Sequence, residues 1–194
     1  MMSLPYRLIL GSKSPRRKEL LKSLGFDFDL KVRPVDESFP NDLPVADLAE
    51  FIAKKKAEAF DDLAEDELVI TSDTVVVCED KALAKAANKE EAKAMLELLS
   101  GKTHQVITGV CLKSKFKTVS FSETTQVHFG KLSNEEMDYY ISQYQPFDKA
   151  GAYGIQEWIG MIGIEGIEGD YYNVMGLPLH KLYKELQRFS NNKE

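Results

Sequence analysis

A short segment near the N-terminus combines hydroxyl groups, two adjacent arginines and the start of a predicted helix. Residues 8–11 (LILG) are typical of a buried strand, and Ser14 and Pro15 are typical of an N-cap and a first helical residue. Backbone N–H groups at a helix start favour an anion, and the guanidinium groups of Arg16 and Arg17 match phosphate oxygens. The segment therefore predicts a phosphate site, the alternative being an ordinary turn before a solvated basic helix face.

An aspartate interrupts a strand that is otherwise apolar and largely β-branched. Residues 68–77 (LVITSDTVVV) are typical of a central strand, and Asp73 lies in its middle. A buried carboxylate is costly unless it is paired or bound to a metal, so we interpret Asp73 as a catalytic or metal-binding acid. A carboxylate that caps a helix or pairs with an arginine is the structural alternative. Asp36 and Glu37 form an acidic pair upstream of this strand.

These groups predict metal-assisted chemistry on a small phosphorylated molecule. Basic side chains neutralise phosphates, and carboxylates hold a divalent metal that bridges them. A carboxylate near such a metal can also orient or deprotonate a water molecule for in-line attack on phosphorus. The sequence contains no G-x-x-x-x-G-K-[ST] motif, which excludes a P-loop protein. The residues alone predict hydrolysis or transfer and do not identify the substrate.

The composition is that of an ordinary globular chain with an acidic balance. Of its 194 residues, 43% are hydrophobic and 29% are charged, and the net charge at pH 7 is −6. This charge argues against broad nucleic-acid binding, which needs a wide basic face. The N-terminal residues do not resemble a signal peptide and no apolar run reaches 18 residues, so we expect a cytoplasmic protein without a membrane partner. Cys78 and Cys111 lie in apolar runs and are expected to be buried free thiols.

The hydrophobic pattern predicts strands and helices that do not alternate strictly, which favours a single mixed α/β domain over residues 1–194 with no linker. His104, His128 and His180 lack metal-ligand spacing and are expected to be structural. The predicted strands cover about residues 6–11, 28–33, 68–77, 103–113, 116–129 and 159–165. The predicted helices cover about residues 15–24, 45–60, 88–100, 134–144 and 178–188.

Five segments form an ordered set of motifs along the chain. They are residues 11–21 (GSKSPRRKELL), 72–76 (SDTVV), 99–104 (LSGKTH), 148–156 (DKAGAYGIQ) and 172–178 (YNVMGLP). In this order they resemble the Maf family of nucleoside triphosphate pyrophosphatases over nearly the whole chain. The resemblance implies hydrolysis of a nucleoside triphosphate to its monophosphate and pyrophosphate, with Mg²⁺ or Mn²⁺, in the cytoplasm. It also implies a Maf/ITPase-like fold with a twisted mixed sheet, flanking helices, two lobes and a central cleft, often in a homodimer.

The resemblance also implies roles for individual residues. Asp73 occupies the position of the proton acceptor, and Glu37 is similar to a carboxylate on the metal side, so these two residues would hold the metal. Arg16, Thr74 and Gln156 match the positions that distinguish the dTTP/UTP branch. Phosphate contacts are implied for Ser12, Arg17, Lys56, Lys85 and Lys149, the last of which could instead contact the base.

One segment departs from the family pattern. The family commonly has Lys-Pro after the short strand, whereas residues 83–86 read LAKA. Without the fixed φ of proline we expect a looser turn at Lys85. The reaction class does not depend on this turn.

Together these observations predict hydrolysis of dTTP and UTP, in which Asp73 activates water while Thr74 and Gln156 hydrogen-bond the pyrimidine edge. Two alternatives stay open: a non-catalytic nucleotide sensor linked to cell division, and an enzyme acting on another phosphorylated metabolite such as a sugar phosphate. A carboxylate beside a phosphate site argues against a pure sensor, because binding alone gains little from a repelling charge.

Overall fold

The computed structural model describes residues 4–191, in which strands and helices are mixed along the chain. The strands are β1 (Arg7–Leu10), β2 (Phe28–Leu30), β3 (Glu67–Cys78), β4 (Lys81–Leu83), β5 (Thr103–Ser114), β6 (Thr118–Phe129) and β7 (Ile164–Glu168). The helices are α1 (Pro15–Ser23), α2 (Val45–Glu58), α3 (Lys89–Leu99), α4 (Asn134–Tyr144), α5 (Trp158–Gly163), α6 (Tyr171–Val174) and α7 (Leu179–Asn191), with a 3-10 turn at Pro146–Asp148.

The strands form one mixed sheet. Its order is β2-β1-β3-β5-β6-β7, and β4 pairs with β3 off this path. Strand β1 runs parallel to both neighbours, so that Leu8 lies opposite Phe28 on one side and Leu68 on the other. The β3–β4 and β6–β7 pairs are antiparallel. The mixed α/β prediction is therefore confirmed.

The chain divides into two compact units. The first runs from the N-terminal segment to Asp73 and includes Thr108–Glu123 and the C-terminal segment from Gly176. The second consists of Thr74–Ile107 and Thr124–Met175. Strands β3, β5 and β6 contribute residues to both units. The predicted cleft stays a prediction.

Each unit has its own buried apolar residues. In the first unit, Ile9 and Val69 from neighbouring strands pack with Phe60 and Leu63. The larger cluster of the second unit includes Tyr140, Tyr153 and Ile159 among its members. Burial of such side chains stabilises the fold by about 25 cal/mol for each Å² removed from water.

One predicted element is wrong. The strand expected over residues 159–165 is helix α5 followed by β7, which begins only at Ile164. In a strand, Ile159 and Met161 would share a face, yet Ile159 is fully buried while Met161 is 76% exposed. Burial instead recurs four residues later, at Gly163, as it does on one face of a helix. Strand β2 is also shorter than predicted, ending at Leu30.

The cysteines follow the prediction. Cys78 and Cys111 are both buried and neither forms a disulfide. Burial raises the pKa of the Cys111 thiol to about 12. Among the helices described for residues 4–191, none combines the length and apolarity that crossing a bilayer requires.

Candidate active site

The loop between β1 and α1 is held by its own side chains. The Ser14 hydroxyl accepts a hydrogen bond from the Arg17 N–H at 3.4 Å and so caps the helix, while the Ser12 hydroxyl accepts one from the Ser14 N–H at 3.2 Å. A β-carbon at Gly11 would lie 2.9 Å from Cγ2 of Thr71, so only glycine lets the chain pass this close to β3. The predicted strand–turn–helix at this segment is confirmed.

Arg17 is fixed by two backbone carbonyls that lie far from it in the sequence. Its Nε donates to the Gly176 carbonyl at 2.8 Å, and one terminal nitrogen donates to the Ser72 carbonyl at 2.9 Å. The same terminal nitrogen lies 3.5 Å from the Ser12 hydroxyl. Desolvation lowers the pKa of Arg17, and the charge of Asp73 opposes that effect. The guanidinium is thus held beside the residue that precedes Asp73.

Lys56 joins the two predicted metal-side carboxylates. Its ammonium contacts Asp73 at 2.8 Å and Glu37 at 3.1 Å. The Lys56 and Asp73 side chains are about one-fifth exposed, whereas that of Glu37 is more than half exposed. The pairing holds a partly buried cation and a partly buried anion together at the carboxyl end of the first-unit part of β3.

The neighbouring lysines on α2 point elsewhere, as their consecutive positions on a helix require. Lys54 pairs with Glu50 one turn earlier at 2.9 Å, and Lys55 contacts Asp36 at 3.6 Å. Hydrogen bonds from the side chain and backbone of Ser38 lower the pKa of Asp36. Of this lysine run, Lys56 is therefore the member that meets Asp73.

The carboxylates of Glu37 and Asp73 are of a type that can hold a divalent metal. Mg²⁺ is usually held by one or two carboxylates together with substrate phosphates rather than by an all-protein cage. Glu37 and Asp73 already share one cation, the Lys56 ammonium, so both reach a common point. Within residues 4–191 no group of three or more His, Cys, Asp or Glu side chains is gathered as a metal cage. The residues fit a metal that depends on the substrate for its remaining ligands.

The second unit holds four predicted site residues, on β3, after β4 and in a glycine-containing loop: Thr74, Lys85, Lys149 and Gln156. Arg16 lies on α1 in the first unit. Thr74 follows Asp73 directly on β3. The backbone of Lys85 forms a β-bridge with Ala150, and the Gly151 N–H donates to the Ala84 carbonyl at 3.2 Å. The turn that lacks the family's proline is therefore tied by backbone contacts.

The loop at residues 149–157 has an unusual backbone. Gly151 and Ala152 have φ angles of +68° and +55°, in a backbone region that residues other than glycine rarely adopt. A β-carbon at Gly151 would lie 3.1 Å from Val76, which explains the glycine there. Further along, Oε1 of Gln156 is buried and has no hydrogen-bond partner among the described residues. A buried unpaired amide oxygen is expensive unless a ligand satisfies it.

Lys149 lies in a charged network within this loop. Its ammonium contacts Asp148 at 2.8 Å and Glu157 at 3.0 Å, and its side chain is only 9% exposed. The second oxygen of Glu157 accepts a short hydrogen bond from the Tyr140 hydroxyl, which itself accepts one from the Gly154 N–H at 3.0 Å. Burial, followed by the bond to Glu157, raises the pKa of Tyr140.

Sequence reasoning did not find Tyr140 or Glu157. Tyr140 occupies an apolar position of an amphipathic helix, where an aromatic residue is typical of a core, and nothing local signals that its hydroxyl meets a carboxylate 17 residues away. The expectation that His104 is structural agrees with its position, since it is buried and its Nε2 lies 2.7 Å from the Tyr153 hydroxyl.

The fold of this chain is shared with solved structures of other proteins. Solved structures that align with it include a Ham1 protein from Coxiella burnetii, with a TM-score of 0.50, 14% identity and coverage of 94% of this chain and 99% of the other. The Ham1 protein of Staphylococcus aureus aligns with a TM-score of 0.50, 15% identity and coverage of 92% and 99%. At these identities the likeness concerns the fold alone.

The family model described as Maf-like protein matches residues 7–189, and this chain belongs to the Maf family. A relative from Parabacteroides distasonis, named dTTP/UTP pyrophosphatase, is 52% identical over 186 residues, which cover 95% of this chain and 96% of the relative. A relative with the same name from Flavobacterium psychrophilum is 51% identical over 178 residues, or 91% of each chain. The resemblance seen in the five motifs is confirmed.

Proposed function

We propose that this chain is a nucleoside triphosphate pyrophosphatase that hydrolyses dTTP and UTP to the monophosphate and pyrophosphate. The observation that carries the proposal is the placement of Asp73 among cations: Lys56 contacts its carboxylate, and Arg17 binds the carbonyl of the preceding residue. Relatives at about half identity that bear the name dTTP/UTP pyrophosphatase support the substrate class.

The proposed reaction uses this arrangement for phosphate neutralisation and water activation. Arg17 and Lys56 offset the negative charge of the triphosphate, as fixed cations do in other phosphoryl transfers. Asp73 accepts a proton from the attacking water, whose oxygen bonds to the α-phosphorus while the bond to the bridging oxygen breaks. Pyrophosphate leaves with that oxygen. The residues we propose to contact phosphate are Ser12, Arg17, Lys56 and Lys85. Lys149 was predicted with them, but its ammonium is engaged by Asp148 and Glu157.

Mg²⁺ or Mn²⁺ is the cofactor we propose, held by Glu37, Asp73 and the phosphates. When bound, it would withdraw charge from the phosphate oxygens and so ease attack at phosphorus. Before the substrate binds, the positive charge of Lys56 offsets the repulsion between the two carboxylates. With the metal bound, Lys56 would contribute a second positive charge.

Arg16, Thr74 and Gln156 are the residues we propose for base selection. The unpartnered Oε1 of Gln156 supports this role, because a base that supplies a donor would satisfy a buried acceptor and a base that does not would leave it unpaired. The cytoplasmic location and homodimer expected from the family stay predictions.

The test is product analysis with dTTP, UTP, CTP, GTP and ATP in the presence of Mg²⁺ or Mn²⁺, beside an Asp73→Asn variant. We expect pyrophosphate and monophosphate from dTTP and UTP, and loss of both products in the variant. Release of orthophosphate would contradict the mechanism, since a different bond would have broken. Tight nucleotide binding without turnover would favour the sensor, and turnover of a sugar phosphate alone would favour the other enzyme.

A further inference from the structure

A hydroxyl, a carboxylate and an ammonium form a chain of contacts within the second unit. Tyr140 is fully buried on α4, donates to one oxygen of Glu157 and accepts from the Gly154 N–H at 3.0 Å. The other oxygen of Glu157 contacts the Lys149 ammonium at 3.0 Å. The Glu157 carboxylate therefore holds Tyr140 of the helix and Lys149 of the loop, and the Tyr140 hydroxyl holds Gly154 in turn.

The amide of Gln156 lies beside this chain of contacts. A β-carbon placed on Gly154 would lie 2.9 Å from Cδ of Glu157 and 3.2 Å from Nε2 of Gln156, so the two side chains flank the same glycine. The Tyr140 hydroxyl bonds to both Glu157 and the backbone of Gly154. Loss of that hydroxyl therefore removes one hydrogen bond from each of these two neighbours of the amide.

We propose that Tyr140, Glu157 and Lys149 are positioning residues that hold the Gln156 amide for recognition of the base, an inference that rests on the proposed function. The Lys149 side chain is 9% exposed and its ammonium is engaged by carboxylates, so its charge supports Glu157 rather than a phosphate. A polar group held in a fixed position discriminates between bases because the wrong base leaves it unpaired. If the group is displaced, it no longer pairs with the correct base either.

Tyr140→Phe is the first test, with Tyr139→Phe as its matched control. Tyr139 lies next to Tyr140 on α4 but is 49% exposed. We expect Tyr140→Phe to lower the ratio of kcat/KM for UTP to kcat/KM for ATP by about tenfold. The change should arise mainly from a higher KM for UTP, since the residues proposed to act on the phosphates are unchanged. Tyr139→Phe should leave the ratio unchanged. Equal ratios in the two variants would overturn the inference.

A double variant separates positioning from general structural damage. If Tyr140 acts through Gln156, then adding Tyr140→Phe to Gln156→Ala should change the UTP/ATP ratio by less than about twofold. A ratio that falls by the product of the two single effects would overturn the inference. Calorimetry with UTP and ATP in EDTA gives the ratio of their dissociation constants without turnover. An inactive wild-type enzyme would therefore refute the proposed reaction, and the same double-variant cycle could still be measured on binding.

Inorganic tripolyphosphate distinguishes a positioning lysine from a phosphate ligand. We expect Lys149→Met to bind tripolyphosphate within about twofold of wild type while losing UTP preference, and Lys56→Met to bind it at least about tenfold more weakly. Lys149→Arg, which can keep the pair with Glu157, should retain the preference and guards against a variant that does not fold. Weak tripolyphosphate binding by folded Lys149→Met would overturn the assignment of Lys149.

Discussion

Lys56 and Asp73 form an ion pair of 2.8 Å between the last turn of α2 and the middle of β3. Glu37 approaches the same ammonium at 3.1 Å, so a single lysine separates two carboxylates that come from different parts of the chain. This relationship ties three residues of the candidate site to one another before any substrate is present, and its removal is the most direct test of the site.

Lys56→Met should reduce kcat/KM for dTTP by at least about a hundredfold, because the variant loses a phosphate ligand and leaves two carboxylates without their shared cation. The free energy of unfolding should fall by about 1 to 3 kcal/mol, because Asp73 is mostly buried and loses its cation. Lys54→Met, which removes only a pair with Glu50, is the control in steady-state kinetics and thermal melting. Equal loss of activity in both variants would contradict the role of Lys56.

Arg17→Lys should impair both stability and activity, since an ammonium cannot reproduce the two directed bonds to the Gly176 and Ser72 carbonyls. We expect a loss of about 2 kcal/mol, or about 5 °C in melting temperature, together with weaker tripolyphosphate binding. Lys18→Met, on the exposed side of the same helix, should change neither quantity. An unchanged melting temperature in Arg17→Lys would show that these bonds do not contribute.

Gly160→Ala should destabilise the protein by about 3 kcal/mol. A β-carbon there would lie 1.8 Å from the carbonyl oxygen of Ile155. Because the backbone fixes the positions of both atoms, the backbone itself must shift to relieve this clash. Gly166→Ala is the matched control, since its β-carbon would meet nothing nearer than 3.7 Å. Urea unfolding of the two variants measures the difference, and comparable stabilities would mean that α5 moves freely against residue 155.

Stability should fall as the pH drops through the range in which His104 resists protonation. Burial, and secondarily the charge of His128, lowers the pKa of His104 from 6.5 to about 4. The unfolded state thus binds this proton first, so between about pH 6.5 and pH 4 acidification favours unfolding by up to about 3 kcal/mol.

His104→Gln should reduce the dependence of the free energy of unfolding on pH in this range, while keeping a polar partner for Tyr153. Urea unfolding at pH 7, 5.5 and 4.5 supplies the comparison for the previous prediction. Carboxylates titrate alike in both proteins, so the difference between the two curves isolates His104. Parallel curves would contradict a buried, neutral imidazole.

Local chemistry explains which parts of the structure sequence reasoning could find. Ser14 and Pro15 carry the signals of a helix start within a few residues, and Asp73 stands out because a charge is rare in a central strand. Helix α5 escaped because short apolar segments with glycines suit a strand or a helix equally. The contact of Tyr140 with Glu157 depends on tertiary packing, to which no local pattern responds.

The same limit applies to the acceptors of Arg17. A phosphate role follows from its type and its place at a helix start, but its two backbone carbonyls belong to residues 72 and 176 and depend on how the chain returns. Residue type predicts a phosphate role for this side chain, while its orientation could be found only from the structure.

That return of the chain has a consequence for biosynthesis. The carbonyl that holds Nε of Arg17 lies 159 residues downstream, and the first unit is completed only by the segment that begins at Gly176. The ribosome must therefore synthesise the chain past Gly176 before this arginine can reach its final place, whereas the second unit is fully synthesised at Met175. A nascent or prematurely terminated chain would carry the proposed phosphate-binding segment without the carbonyl that orients Arg17.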